Sequence, residues 1–424
     1  MRSSSFKHIV PAFAVAAFVL LGAGEAKAQL TTKWLDIGDF QSNYVQLGAN
    51  CETGTCTAPQ GWEHPAIQRN SVQSRAEGFW IGTTDWTDMN GDPHDYFVSR
   101  TGPRTAGVDV GFPISSKLYS KWPDISVKVD GLDSYNHIAV VDSVDPNLPA
   151  DRVVETIWNQ LPGITAKRRV YAYGNRYQDE YQIAEYFFTN TGNTDDDPEP
   201  ELADQTLHGV EFMWLFRWRG SEQASQQASA GQVWGKFNMI DVVGDGHSTF
   251  PVDFTAVYAW YGYEPGFDNH GFTNIGMPLV EAYNTDFVSS ADTVGRLSGS
   301  DMDGQMTLYA PNSATDPTFD IANQPSSIGY YDQDGALMSD GHGQNEYYNL
   351  VMDVGRVQPT YAELIQPNGE FWNPTADASG GKSQGGFAPT VTYGPYEMAP
   401  GETIHIVMVF SADGMPYKAQ VEIG

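Results

Sequence analysis

Val210, Phe212, Trp214, Phe216 and Trp218 set five large apolar side chains at strict alternation, the period of an extended strand. Glu211, Met213, Leu215, Arg217 and Arg219 occupy the opposite face. A row of this size must be buried or serve as a binding platform. A second run, Gly401 to Phe410, follows the Pro400-Gly401 turn and is apolar on both sides beyond His405, as an inner strand of a sandwich is. Further strands are expected over 125–129, 166–173, 181–189 and 254–263. The turn-rich connector 174–180 predicts an antiparallel hairpin between two of them.

Composition points the same way. Forty-three Gly, 25 Pro and 13% aromatic residues favour strands joined by turns. Residues 222–230 contain helix formers but no apolar stripe. The fold class expected is all-β: a large antiparallel β-sandwich of two packed sheets, with long Asp/Gly/Asn-rich loops and few short helices.

Residues 1–28 read as a cleavable export signal: Arg2 and Lys7, an apolar run from Ile9 to Leu21, then Ala26-Lys27-Ala28. The run is shorter than the roughly 20 apolar residues of a spanning helix, and no later stretch is apolar long enough to be one. The expected location is the periplasm, the cell surface or the exterior. Behind the signal, 29–120 reads as a loop-rich N-terminal segment and 121–424 as the sandwich domain, with a loop-rich insertion at about 262–349. Cys51 and Cys56, with Gly54 between them, predict a local disulfide in an oxidising compartment. The end of the chain, soon after a strong strand, suggests the front part of a longer protein.

Fifty-three acidic residues face 23 basic ones, a net charge of −30. Loss of residues 1–28 removes Arg2, Lys7, Lys27 and Glu25 and deepens the excess. Such a field repels nucleic acid and attracts cations. Asp301-Met302-Asp303-Gly304 and Asp332-Gln333-Asp334-Gly335 are tight hard-oxygen runs of the kind calcium accepts, so Asp301, Asp303, Asp332 and Asp334 are the candidate ligands. Gly at the fourth position rules out an EF-hand. The run Asp88 to Asp92 and Asp241 with Asp245 are of similar type, and any such run is also what ordinary turns are made of.

The sequence holds no His-Glu-x-x-His, no Gly-x-Ser-x-Gly and no phosphate-cradling glycine loop. Glu185, Glu211 and Glu281 lie in or near apolar strands, where burial raises a carboxyl as a general acid requires; an outward-facing strand residue is the commoner case. Trp86, Trp260 and Tyr261 are the candidate ligand-binding aromatics, with Trp80 and Trp372 also near loops, because flat rings pack on the C–H faces of sugars. Trp214 and Trp218 belong to the core.

The stretch Val144 to Arg152, Arg168 to Tyr173, Asp179 to Tyr186 and Phe188-Thr189-Asn190-Thr191-Gly192-Asn193 resembles the large, functionally uncharacterised secreted β-rich proteins of free-living, often marine, bacteria. Gly295 to Ser298 and Ala314 to Pro317 are similar to the same group, some of whose members carry C-terminal sorting domains. The resemblance implies export and a β-rich fold, and carries over no activity. The function expected is a secreted, non-catalytic surface or extracellular-matrix protein: a binding or structural module with calcium-stiffened loops, whose partners are extracellular polysaccharide or cell-surface components. A polysaccharide-acting hydrolase or carbohydrate-binding module is the alternative.

Overall fold

The computed structural model describes residues 30–49, 61–66, 72–103, 107, 109–124, 128–133, 139–218, 238–244, 254–261, 276–279, 295–332, 341–355 and 387–424. They form an all-β sandwich of two large sheets. The first runs β1 (Thr32–Leu35), β2 (Gln41–Val45), β3 (Trp62–Glu63), β4 (Val72–Thr87), β13 (Leu207–Trp218), β20 (Phe387–Met398) and β19 (Ser327–Asp332), with β5 (Pro93–Thr101) also on β4. The second runs β14 (Asn238–Val243), β15 (Thr255–Tyr261), β18 (Asp301–Tyr309), β21 (Thr403–Gly414), β12 (Tyr181–Asn190), β11 (Ile164–Ala172), β10 (Arg152–Gln160), β6 (Gly111–Ser120) and β9 (Ser143–Val144). Two small ribbons join β7 (Lys128–Val129) to β8 (Leu132–Asp133) and β16 (Met277–Pro278) to β17 (Leu297–Ser298).

Alternation decides how the sheets face each other. The inward rings of β13 meet those of the second sheet: Phe212 stacks on Phe188 at 4.1 Å, Trp214 lies 4.9 Å from Tyr186, and Phe216 lies 5.8 Å from Phe410. Phe79 of β4 stacks on Phe188 at 5.4 Å. Burying each such ring contributes on the order of 1.5–3 kcal/mol, so the interior is held by aromatic packing between the layers.

The other face of β13 is also buried. Met213 and Leu215, with Trp80 of β4, are covered by Tyr347, Tyr348, Val351 and Met352 from a short helix, Gln344–Tyr347, that continues as a π-helical turn, Tyr348–Met352. β13 is therefore a central strand covered on both sides.

The predicted hairpin is present: β11 and β12 pair antiparallel from Ile164↔Asn190 to Ala172↔Gln182. β21 lies between β12 and β18, the inner position its apolar pattern predicts. Two boundaries differ from expectation. The segment 29–120, expected to be loop-rich, contributes β1 to β5 to the first sheet and β6 to the second. The 262–349 insertion likewise supplies β18 to the second sheet and β19 to the first. In both cases strands with two buried faces, or with Gly and Asp inside them, lack the alternation by which a strand is recognised. The segment 222–230, helix formers without an apolar stripe, lies outside the described residues.

Candidate functional site: the outer face of the nine-stranded sheet

Along β11 and β12 every second residue is fully buried and its neighbours are only half exposed. The outward residues are large enough to cover one another, and they form a continuous surface across β6, β10, β11, β12 and β21. Val153 stands opposite both Tyr119 and Tyr171, and Glu155 opposite both Lys117 and Arg169. Arg169 stands opposite Glu185, and Phe187 opposite His405.

Cross-strand bonds fix these side chains. The Tyr171 hydroxyl donates to Glu185 Oε2 at 2.8 Å, and His405 Nε2 lies 3.1 Å from Glu185 Oε1. Burial, and then the Glu185 bond, push the Tyr171 phenol up to about 12. Arg169 Nε donates to Glu155 Oε2 at 2.7 Å, with Lys167 Nζ 3.2 Å away; these two cations, outweighing the effect of burial, hold the Glu155 carboxyl below its ordinary range. The His405 ring stacks on Phe187 at 4.3 Å and lies 5.3 Å from Tyr309. Tyr309 reaches this face because β18 carries a bulge between Thr307 and Tyr309.

One end of the surface deepens into a groove of about 350 Å³, with Tyr119, Val153, Glu155, Arg169 and Tyr171 below and the loop from Asp145 to Pro149 above. That volume is at the small end of ligand sites. The chemistry is mixed: two tyrosine rings beside a guanidinium and carboxylates whose positions are set by their own bonds.

Of the residues singled out in the sequence, Glu185 stands on this face; the others that the structure describes fall elsewhere. Trp86, expected to offer an open ring, is 3% exposed; its indole N–H donates to the Pro162 carbonyl at 3.1 Å and its ring lies 4.3 Å from Phe97. Trp80 is likewise buried and donates to the Gly102 carbonyl at 2.8 Å. Trp260 packs against the core and stacks on Tyr258 at 5.4 Å, while Tyr261 is described only as the last residue of β15.

Asp301 and Asp303 do not wrap a turn. They are consecutive inward positions of β18, both buried, about 6.7 Å apart along an extended strand. Asp332 ends β19; Asp334, the Cys51–Cys56 pair, Glu281, Trp372 and Asp245 lie outside the described residues. Asp88 caps its own hairpin turn, its Oδ1 accepting from the Asn90 and Asp92 amides at 2.8 and 3.0 Å. Glu211, flagged as a possible acid, is 1% exposed, and burial together with the charge of Asp353 lifts it to about 9. It lies beneath the covering turn, close to Tyr348.

Sequence reasoning missed Tyr119 and Arg169 as members of a site, although the outward positions of the 166–173 and 181–189 hairpin are an aromatic and charged series. Among the described residues no helix is long and apolar enough to cross a membrane. In comparison with known proteins, the chain matches no family model and no curated protein.

Proposed function

We propose that this chain is an exported, non-catalytic β-sandwich module whose nine-stranded sheet binds extracellular polysaccharide, or a cell-surface glycan, on its outer face. The observation that carries this reading is the Glu185 node, at which Tyr171 and His405 are held on one carboxylate beside the Tyr119 groove. Aromatic faces pack on the apolar side of a sugar ring, and fixed polar groups bond its hydroxyl rim. Preorganised side chains lower the ordering cost of binding. The acidic balance favours neutral or cationic glycans over anionic ones.

The test is affinity electrophoresis and calorimetry of the purified chain against neutral, cationic and anionic polysaccharides. Tyr119→Ala and Tyr171→Ala should each weaken binding about tenfold, from roughly 1.4 kcal/mol of lost stacking, without lowering the melting temperature much. Undiminished affinity in both variants sinks the surface assignment. Release of reducing ends from a bound polysaccharide would overturn the non-catalytic part.

A further inference from the structure

Asp39, His64 and Glu180 come from three separate stretches of chain, and a ligand atom from each lies within 4.8 Å of the others. We propose that these three residues hold a divalent transition-metal ion of the zinc class, with Asp301 orienting the imidazole from behind. The site is distinct from the outer-face groove and does not depend on it.

The loops that carry the ligands are fixed to one another by backbone bonds. The amides of Asp39 and Phe40 both donate to the Asp179 carbonyl, at 3.0 and 2.8 Å, and the Ala66 amide donates to the Asp39 carbonyl at 2.8 Å and to Asp39 Oδ1 at 3.1 Å. His64, 5% exposed, directs its two nitrogens at different carboxylates: Nε2 lies 2.7 Å from Glu180 Oε2, and Nδ1 lies 3.7 Å from Asp301 Oδ1. Metal-bound histidines usually have one nitrogen on the metal and the other turned to a carboxylate; here Asp301 stands on that second side at ion-pair distance, outside hydrogen-bond reach. Gly414 makes room for the backing group, because a Cβ there would collide with the Asp301 carboxylate.

Charge supports a cation. Asp39, Glu180 and Asp301 surround one imidazole, and neither Asp39 nor Glu180 pairs with Lys or Arg among the described residues. Asp39 and Glu180 are partly exposed, which leaves a way in for the ion and for water to complete its coordination. A nitrogen and two carboxylate oxygens suit zinc. Calcium takes six to eight oxygens, and the donor set that resembles that preference is the all-oxygen group of Asp195, Asp197 and Glu201.

The experiment strips the purified chain with chelator and titrates zinc, manganese and calcium, followed by calorimetry and thermal melting. The expected result is one zinc per chain and a melting temperature raised by roughly 3 °C at a hundredfold excess over Kd. Glu180→Gln, a half-exposed change that the fold should tolerate, should weaken zinc at least tenfold, and His64→Gln should abolish it. Asp301→Asn should weaken zinc 10–100-fold with the stoichiometry kept, while Glu201→Gln changes nothing. No zinc binding, unaltered binding in Glu180→Gln, or a response to calcium alone overturns the assignment.

Discussion

Gly82 lies directly beneath Tyr348: a Cβ on Gly82 would stand 2.9 Å from Tyr348 Cδ2 and 3.0 Å from Met352 Sδ. The Tyr348 hydroxyl, in turn, donates to the Gly209 carbonyl at 2.6 Å on the neighbouring strand. The turn that seals the outer face of the first sheet therefore seats on a strand position without a side chain. Gly82→Ala should push that turn outward and cost about 1–3 kcal/mol, as overpacking does. Urea unfolding measures the loss, and unchanged stability would show that the turn adapts freely.

Glu211 sets a pH dependence. Its carboxyl is raised from 4.5 to about 9 by burial and by Asp353, so between those values the folded chain binds more protons than the unfolded one. Stability must then fall as pH rises through that window and level off above it. Glu211→Gln should show a shallower decline and exceed the parent in stability at pH 8. Melting curves across pH 5–9 test this, and identical slopes for the two proteins would refute it.

Glu77 of the first sheet and Arg168 of the second share the interior. Burial lifts Glu77 to about 8, and the Arg168 charge limits the rise. Arg168 Nη2 donates to the Val45 carbonyl at 2.6 Å, Nε donates to Thr156 Oγ1 at 3.1 Å, and the guanidinium lies 4.7 Å over the Tyr44 ring. Arg168→Met should cost about 3–5 kcal/mol, as the loss of one member of a buried charged set does. In a double-mutant cycle at pH 9, adding Glu77→Leu should recover part of that loss through a coupling of about 0.5–3 kcal/mol. Strict additivity would rule the coupling out.

Glu185 fixes two outward side chains of the candidate site at once, Tyr171 and His405. Glu185→Ala should reduce stability by only about 0.5–1.5 kcal/mol yet weaken glycan binding more than Tyr171→Phe, which removes a single bond. Calorimetry on the two variants decides the order, and the reverse order would locate the contact elsewhere on the sheet.

Much of the fold was legible in the residues. The alternation of β13, the hairpin of β11 and β12 and the apolar inner strand β21 were all expected and all occur. β4 was not. Its central run, Ala76-Glu77-Gly78-Phe79-Trp80-Ile81-Gly82, is covered on both sides, so polar and apolar residues do not alternate there. Asp301-x-Asp303 was read as a turn from its residue types, although its spacing of two is equally that of a strand face.

The sequence by itself determined the class of architecture, because alternation and turn chemistry are local properties that survive in any context. Tertiary structure decided everything that depends on convergence. His64 acquires meaning when Asp39, Glu180 and Asp301 arrive beside it from distant strands and loops. Trp86 became core because Pro162 and Phe97 close over it. The candidate outer-face site depends on five strands lying side by side in one sheet, and no single segment of the chain carries that information.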